Sequence, residues 1–121
     1  MKFQDRTYFT PDDLHDAINR NAPDEIFLVP LTAALLAADV GDAQEACITL
    51  AVHADPIVRG NALLGFGHLA RRFRCLDERR VKPLLEAGLR DADDNVRILA
   101  KSASDEICQF LHWTIAGHIY G

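Results

Sequence analysis

Cys108 and His112 stand four residues apart, with His118 beyond, and soft ligands at that spacing on one helix face are a known way of holding zinc. A tetrahedral site needs four ligands, and neither a fourth ligand nor a second motif is present, so no metal is assigned. Cys108 also sits beside the apolar Ile107, and an unpaired cysteine is among the residue types most often buried. His53 and His68 lie at no recognisable catalytic spacing from a nucleophile or carboxylate. The chain carries no HExxH, no GxSxG and no phosphate-cradling glycine loop. No catalytic residue and no cofactor is expected. A cofactor-handling or lyase-type protein would require a deep cleft on which His53, His68 or Glu106 converge.

The one basic cluster is Arg71, Arg72, Arg74, Arg79, Arg80 and Lys82, interrupted by Asp77 and Glu78. Bases in the last turn of a helix complement its dipole, which accounts for the first three without a ligand. Nucleic-acid recognition normally needs a basic stripe rather than one turn's cluster, and the chain as a whole has a formal charge of −5. The charge is uneven: residues 1–54 hold nine acids against Lys2, Arg6 and Arg20, whereas residues 55–121 hold nine acids against ten bases. Such asymmetry suggests different electrostatic tasks at the two ends.

These residues sit on a chain of 121 residues, 49% apolar and 26% charged, the size and composition of one ordinary globular domain. Cys47, Cys75 and Cys108 are an odd number at wide spacing, which argues against a disulfide framework. No apolar run reaches the ~20 residues that cross a bilayer, and Met1–Arg6 lacks the apolar core of a secretory signal. A cytoplasmic address follows as the expectation.

Apolar residues recur at helical spacing throughout, and alternation at period two never persists, so the fold is expected to be all-α. Thr10-Pro11-Asp12-Asp13 starts a helix to about Arg20, and a second, apolar one follows Pro23, with Pro30 predicting a kink or a late start. Gly41-Asp42 reads as the next break, before a helix over Ala43–Ala54. Asp55-Pro56 opens a longer helix to Arg74, Asp77-Glu78 one ending near Arg90, and Asp93 or Asp94 caps the last, through Leu111. Gly65-Phe66-Gly67 is unusual in a helix interior and points to a close helix approach, with Ala103 as the register partner of Gly65.

The segment Asp55-Pro56-Ile57-Val58-Arg59-Gly60-Asn61-Ala62 returns 38 residues later as Asp93-Asp94-Asn95-Val96-Arg97-Ile98-Leu99-Ala100, with Asp, Val, Arg and Ala in identical register. A period between ~20 and ~50 residues marks stacked repeats. A short helix, a tight turn and then Asp-Pro-x-Val-Arg-x-x-Ala resembles the HEAT-repeat superfamily, convincingly over residues 42–112. The resemblance implies a short right-handed αα superhelix of about three helical pairs. Residues 10–40 would be a degenerate first repeat or cap, 42–74 and 77–112 the two full repeats, and 113–121 a tail. It also implies that Asp55, Arg59, Asp93 and Arg97 join neighbouring repeats by charged hydrogen bonds. Read locally, Asp55 caps its helix and lies four residues before Arg59, a spacing at which opposite charges meet.

Such scaffolds usually bind proteins. Asn61, His68, Arg72, Lys101, Asp105 and Gln109 lie off the apolar stripe of the two long helices and are mixed polar, as an interface rim would be. Phe110, Trp113, Ile115, Ile119 and Tyr120 make an aromatic tail that suits a partner, a homodimer or a cap over the repeat edge. The expectation is a protein-binding module, in its most concrete form a bacterial inhibitor or immunity-type protein. It would hold a basic partner, such as a toxin nuclease, against acids that include Asp12, Asp13 and Asp16.

Overall fold

A computed structural model describes residue 16, residues 18–22 and residues 26–118 of the chain. They are mostly helical and include no strand, so the fold is all-α. After a 3-10 turn at Ile26–Leu28 come α1 (Val29–Leu36), α2 (Val40–Leu50), α3 (Pro56–Phe73), α4 (Glu78–Gly88) and α5 (Asp94–Leu111). The predicted helix before Asn21 lies mostly outside the described residues, as do Ile119 and Tyr120 of the tail. No described helix is long and apolar enough to cross a membrane.

Pro30 acts as a late start: it stands in the first turn of α1, where a missing N–H costs nothing. Gly41-Asp42 is not a break. The Asp39 carboxylate accepts from the Gly41 N–H at 2.6 Å and caps α2, which therefore starts at Val40 and ends at Leu50, earlier at both ends than the sequence suggests. Asp55 and Asp93 cap α3 and α5, accepting from the Ile57 and Val96 N–H groups. Asp77 makes no side-chain cap on α4; its own N–H instead donates to Gln44 Oε1 on α2 at 2.7 Å.

The 38-residue period is carried by the backbone itself. α2 and α4 are each 11 residues long and α3 and α5 each 18, every boundary of the second pair falling 38 residues after its counterpart. Both long helices even end alike, at Arg74 and His112, each left-handed with φ of 53° and 60°. Val58 and Val96 are both fully buried, as are Ala62 and Ala100. The most extensive interface joins α3 to α5, and α3 packs on its other side against α1 and α2.

Glycine makes the close packing of α3 feasible. A Cβ at Gly67 would lie 3.1 Å from the Ala103 backbone, so α5 can approach only because that atom is missing. The register pairing of Gly65 with Ala103 is not the contact formed: Gly65 faces the other way, where a Cβ would meet Cys47 Sγ at 2.8 Å and the Pro30 carbonyl at 3.4 Å. Nearly the whole core is aliphatic or alanine, with Phe66 as the large central ring.

Candidate functional site

The turns before α3 and α5 lie along one edge and are tied by a repeating polar rung. Arg59 donates through Nε and Nη2 to the two carboxylate oxygens of Asp91, at 3.0 and 2.9 Å, and through Nη1 to the carbonyls of His53 and Ala54. The fork thus reaches the next turn, 32 residues on, and not Asp55, which is occupied in capping. Planar two-point pairing of this kind is the strong form of a charged hydrogen bond. It holds the Asp91 carboxyl below the usual carboxylate range, helped by the Asp93 N–H.

His53 stands 38 residues before Asp91 and does the same work. Its Nδ1 accepts from the Asp55 N–H at 3.0 Å, as Asp91 Oδ1 accepts from Asp93. That acceptance puts the ring proton on Nε2, which donates to Asn21 Oδ1 at 2.7 Å, again across 32 residues. The rungs Asn21–His53 and Arg59–Asp91 are therefore one device used twice. Arg97, the register copy of Arg59, repeats the inner half of it: Nη1 donates to the Asp91 carbonyl at 2.5 Å, while Nη2 turns back to Asp94 on its own helix.

The six mixed polar residues predicted as one rim fall on two opposite sides. Asn61, His68 and Arg72 lie on the side of α3 that faces α1. Asn61 Nδ2 donates to the Phe27 carbonyl at 2.7 Å, and Arg72 donates to the carbonyls of Ala34 and Ala37, closing the C-terminal end of α1. His68 is half-buried beside Arg71, and burial with that neighbouring charge lowers its pKa, Glu106 pulling the other way. Of the acids, Asp16 is exposed, whereas Asp12 and Asp13 lie outside the described residues.

Lys101, Asp105 and Gln109 form the other group, a stripe on the outer side of α5 continued by Asp94, Arg97 and Ile98 around an open hollow. Ile98, Lys101 and Asp105 stand 38 residues after Gly60, Leu63 and Gly67, all three buried on α3. The stripe is thus the position that α5 covers on α3, and nothing described covers it on α5. Ile98 is 64% exposed there.

Asp105 links the stripe to a second cluster. His118 Nε2 donates to Asp105 Oδ1 at 2.6 Å, and His118 Nδ1 faces Cys108 Sγ at 3.7 Å. Carboxylate, imidazole and thiol in that order are the parts of an activated nucleophile. The electrostatics run against activation: burial first, and then the Asp105 charge, raise the Cys108 pKa, although Lys82 lowers it. The thiol lies 3.1 Å from the Trp113 carbonyl, to which it donates, and Glu86 accepts from the Ala116 N–H at 2.9 Å. The cluster therefore straps the segment after α5 over the end of the fold, with Ile115 buried and Trp113 half-buried beneath the Lys82 ammonium. His112, the residue paired with Cys108 on sequence spacing, is an exposed helix cap that points elsewhere in the chain's bonding. Cys47 is enclosed, its thiol pushed up to about 12 by burial. Among the described residues no three His, Cys, Asp or Glu side chains are placed to hold a metal ion.

The basic cluster is largely engaged within the protein. Arg71 pairs with Glu106 at 3.5 Å, Arg74 stacks over the Phe110 ring at 5.0 Å, Arg80 grips Glu45, and Lys82 pairs with Glu78. Sequence reasoning missed Asp91 and His53 as rung residues. The signal was available: His53 and Asp91 share a register 38 apart, but they differ in type and so escaped the match. No family model, no curated protein and no solved structure matches this chain.

Proposed function

We propose that the chain is a non-catalytic protein-interaction module: a short right-handed HEAT-like stack of about three helical pairs that meets its partner through the outer stripe of α5. The observation that carries this reading is the register equivalence of Ile98, Lys101 and Asp105 with residues that α5 covers on α3. In a stack each unit buries its face on its neighbour, so the outer face of the last long helix is where a further surface can be received. Its make-up, one exposed isoleucine among Arg97, Lys101, Asp105 and Gln109, is that of an apolar anchor with a polar rim. The HEAT resemblance is supported by the equal helix lengths, the repeated caps and the cross-turn rungs. Affinity purification of the tagged chain from cells that naturally make it, in parallel with Ile98→Asp and with Thr49→Asp on α2, tests the assignment. The partner is retained by the Thr49 variant and lost with the Ile98 variant; equal retention by both rules out the stripe.

A second reading follows from the charge asymmetry. An acidic N-terminal third facing a basic protein, as an immunity-type inhibitor faces its toxin, would draw on Asp12, Asp13 and Asp16. Association would then slow as salt rises, and neutralising the three acids would remove that dependence; a salt-independent rate contradicts it.

A further inference from the structure

Every rung on the turn edge has a partner 32 residues on except the last. Arg59 gives its Nε and Nη2 edge to Asp91, but the same edge of Arg97 has no such carboxylate. Among the described residues Arg97 Nε has no acceptor, and Nη2 is held only by Asp94, whose side chain is 87% exposed. An exposed carboxylate one helical turn away is an exchangeable partner, since surface pairs contribute little. The inner Nη1, fixed on the Asp91 carbonyl, keeps the guanidinium oriented as the corresponding contacts to His53 and Ala54 orient Arg59. The fork is therefore aimed and unfilled at the head of a stripe bearing Ile98 and Lys101.

We infer that Arg97 is an open rung: the α5 stripe docks a partner protein's helix entered through an aspartate-bearing turn, whose carboxylate takes Arg97 Nε and Nη2 as Asp91 takes those of Arg59. This rests on the protein-binding reading above and names the partner's chemistry. What covers the equivalent face inside the chain sets the occupant: α5 itself, entered through the turn that holds Asp91. One difference makes the docked helix removable. Where α3 offers Gly60 and Gly67 to a close neighbour, α5 offers Ile98 and Asp105, so a partner helix sits further out and touches side-chain tips rather than backbone. Asp105 is already tied to Lys101 and His118, which leaves Arg97 as the unfilled charge of the stripe.

The test supplies the occupant in known form. In the full chain, a second copy of residues 77–112 is inserted directly after residue 112, which places a duplicate of Asp91 32 residues after Arg97, the spacing of the Arg59–Asp91 rung. Expected is a chain whose added helices are folded and whose Arg97 Nε–H resonance shifts in nitrogen-correlated NMR. Replacing Arg97 by Lys, which keeps the charge and removes the fork, lowers the folding equilibrium of the added unit at least about fivefold. Replacing the duplicate aspartate by Asn does the same, and the two changes together cost no more than one. In the chain without the insertion Arg97→Lys changes stability less than about twofold. Added helices that stay unfolded, or additive effects of the two changes, overturn the proposal. So does a concentration-dependent dimer of the unmodified chain that Arg97→Lys abolishes, because the occupant is then a second copy. If Ile98→Asp loses the cellular partner while Arg97→Lys does not, the protein-binding reading stands and the open rung alone fails.

Discussion

Arg59 shows how one side chain can set the relation of two helical pairs. Its fork is part-buried and carries two charged hydrogen bonds to Asp91, each of a kind worth about 1.5–3 kcal/mol when part of a fold. Arg59→Ala removes them and strands the carboxylate, so a loss of about 2–3 kcal/mol in urea unfolding at neutral pH is expected. The pH dependence has a definite sign. Asp91 has a lowered pKa in the fold, first because of the Arg59 bond, so its contribution is complete above the unfolded carboxyl value of about 3.9 and fades as pH falls through the folded value. The stability gap between wild type and Arg59→Ala should therefore narrow at about pH 3, whereas a gap that is constant with pH would show that the Asp91 charge is not involved. Ser104 offers the opposite case. Its hydroxyl is fully buried and without a partner, at the position 38 residues after Phe66. Ser104→Ala should raise stability by about 1 kcal/mol, by removing an unmet hydroxyl and improving helix propensity; a destabilised variant would reveal a bond the fold does need.

Between helices, the decisive contact is α3 on α5. A glycine in an open helix is about 1 kcal/mol worse than alanine, so its use at Gly67 needs a compensating gain in packing. The 3.1 Å approach to the Ala103 backbone supplies it, because a main-chain atom cannot turn aside as a flexible side chain can. Gly67→Val should cost about 1–3 kcal/mol in spite of the better backbone propensity, read as a fall in thermal midpoint; an unchanged or raised midpoint would mean that α5 does not lie so close. The elements themselves were legible in the sequence: the Asp-Pro start of α3, the helical stripe through Val58, Ala62, Phe66 and Leu69, and the copy of that stripe in α5. Two features were not. Gly41 reads as a breaker by type, and only the reach of the Asp39 carboxylate makes it the first turn of α2. Arg59 reads as a partner of Asp55 by spacing, and only the position of the next turn offers it the better acceptor, Asp91. Local rules count neighbours along the chain, and both corrections come from atoms that the fold brings close.

For the molecule as a whole, the doubled register divides the predicted rim into residues that hold the structure together and residues that face outward. Asn61 and Arg72 bind the backbone of α1, so they belong to the first category for a reason invisible in sequence: α1 is too irregular to announce its register. Lys101, Asp105 and Gln109 belong to the second, and the same 38-residue shift that relates them to buried positions of α3 explains why they form a surface rather than a core. Placing a photo-activatable cross-linker at Ile98, with Thr49 as the control position, in cells that naturally make the chain measures that outward role directly. The account predicts a covalent adduct from Ile98 to a helical segment of another protein, diminished by Arg97→Ala and absent from Thr49. Adducts from Thr49 with none from Ile98 would contradict it.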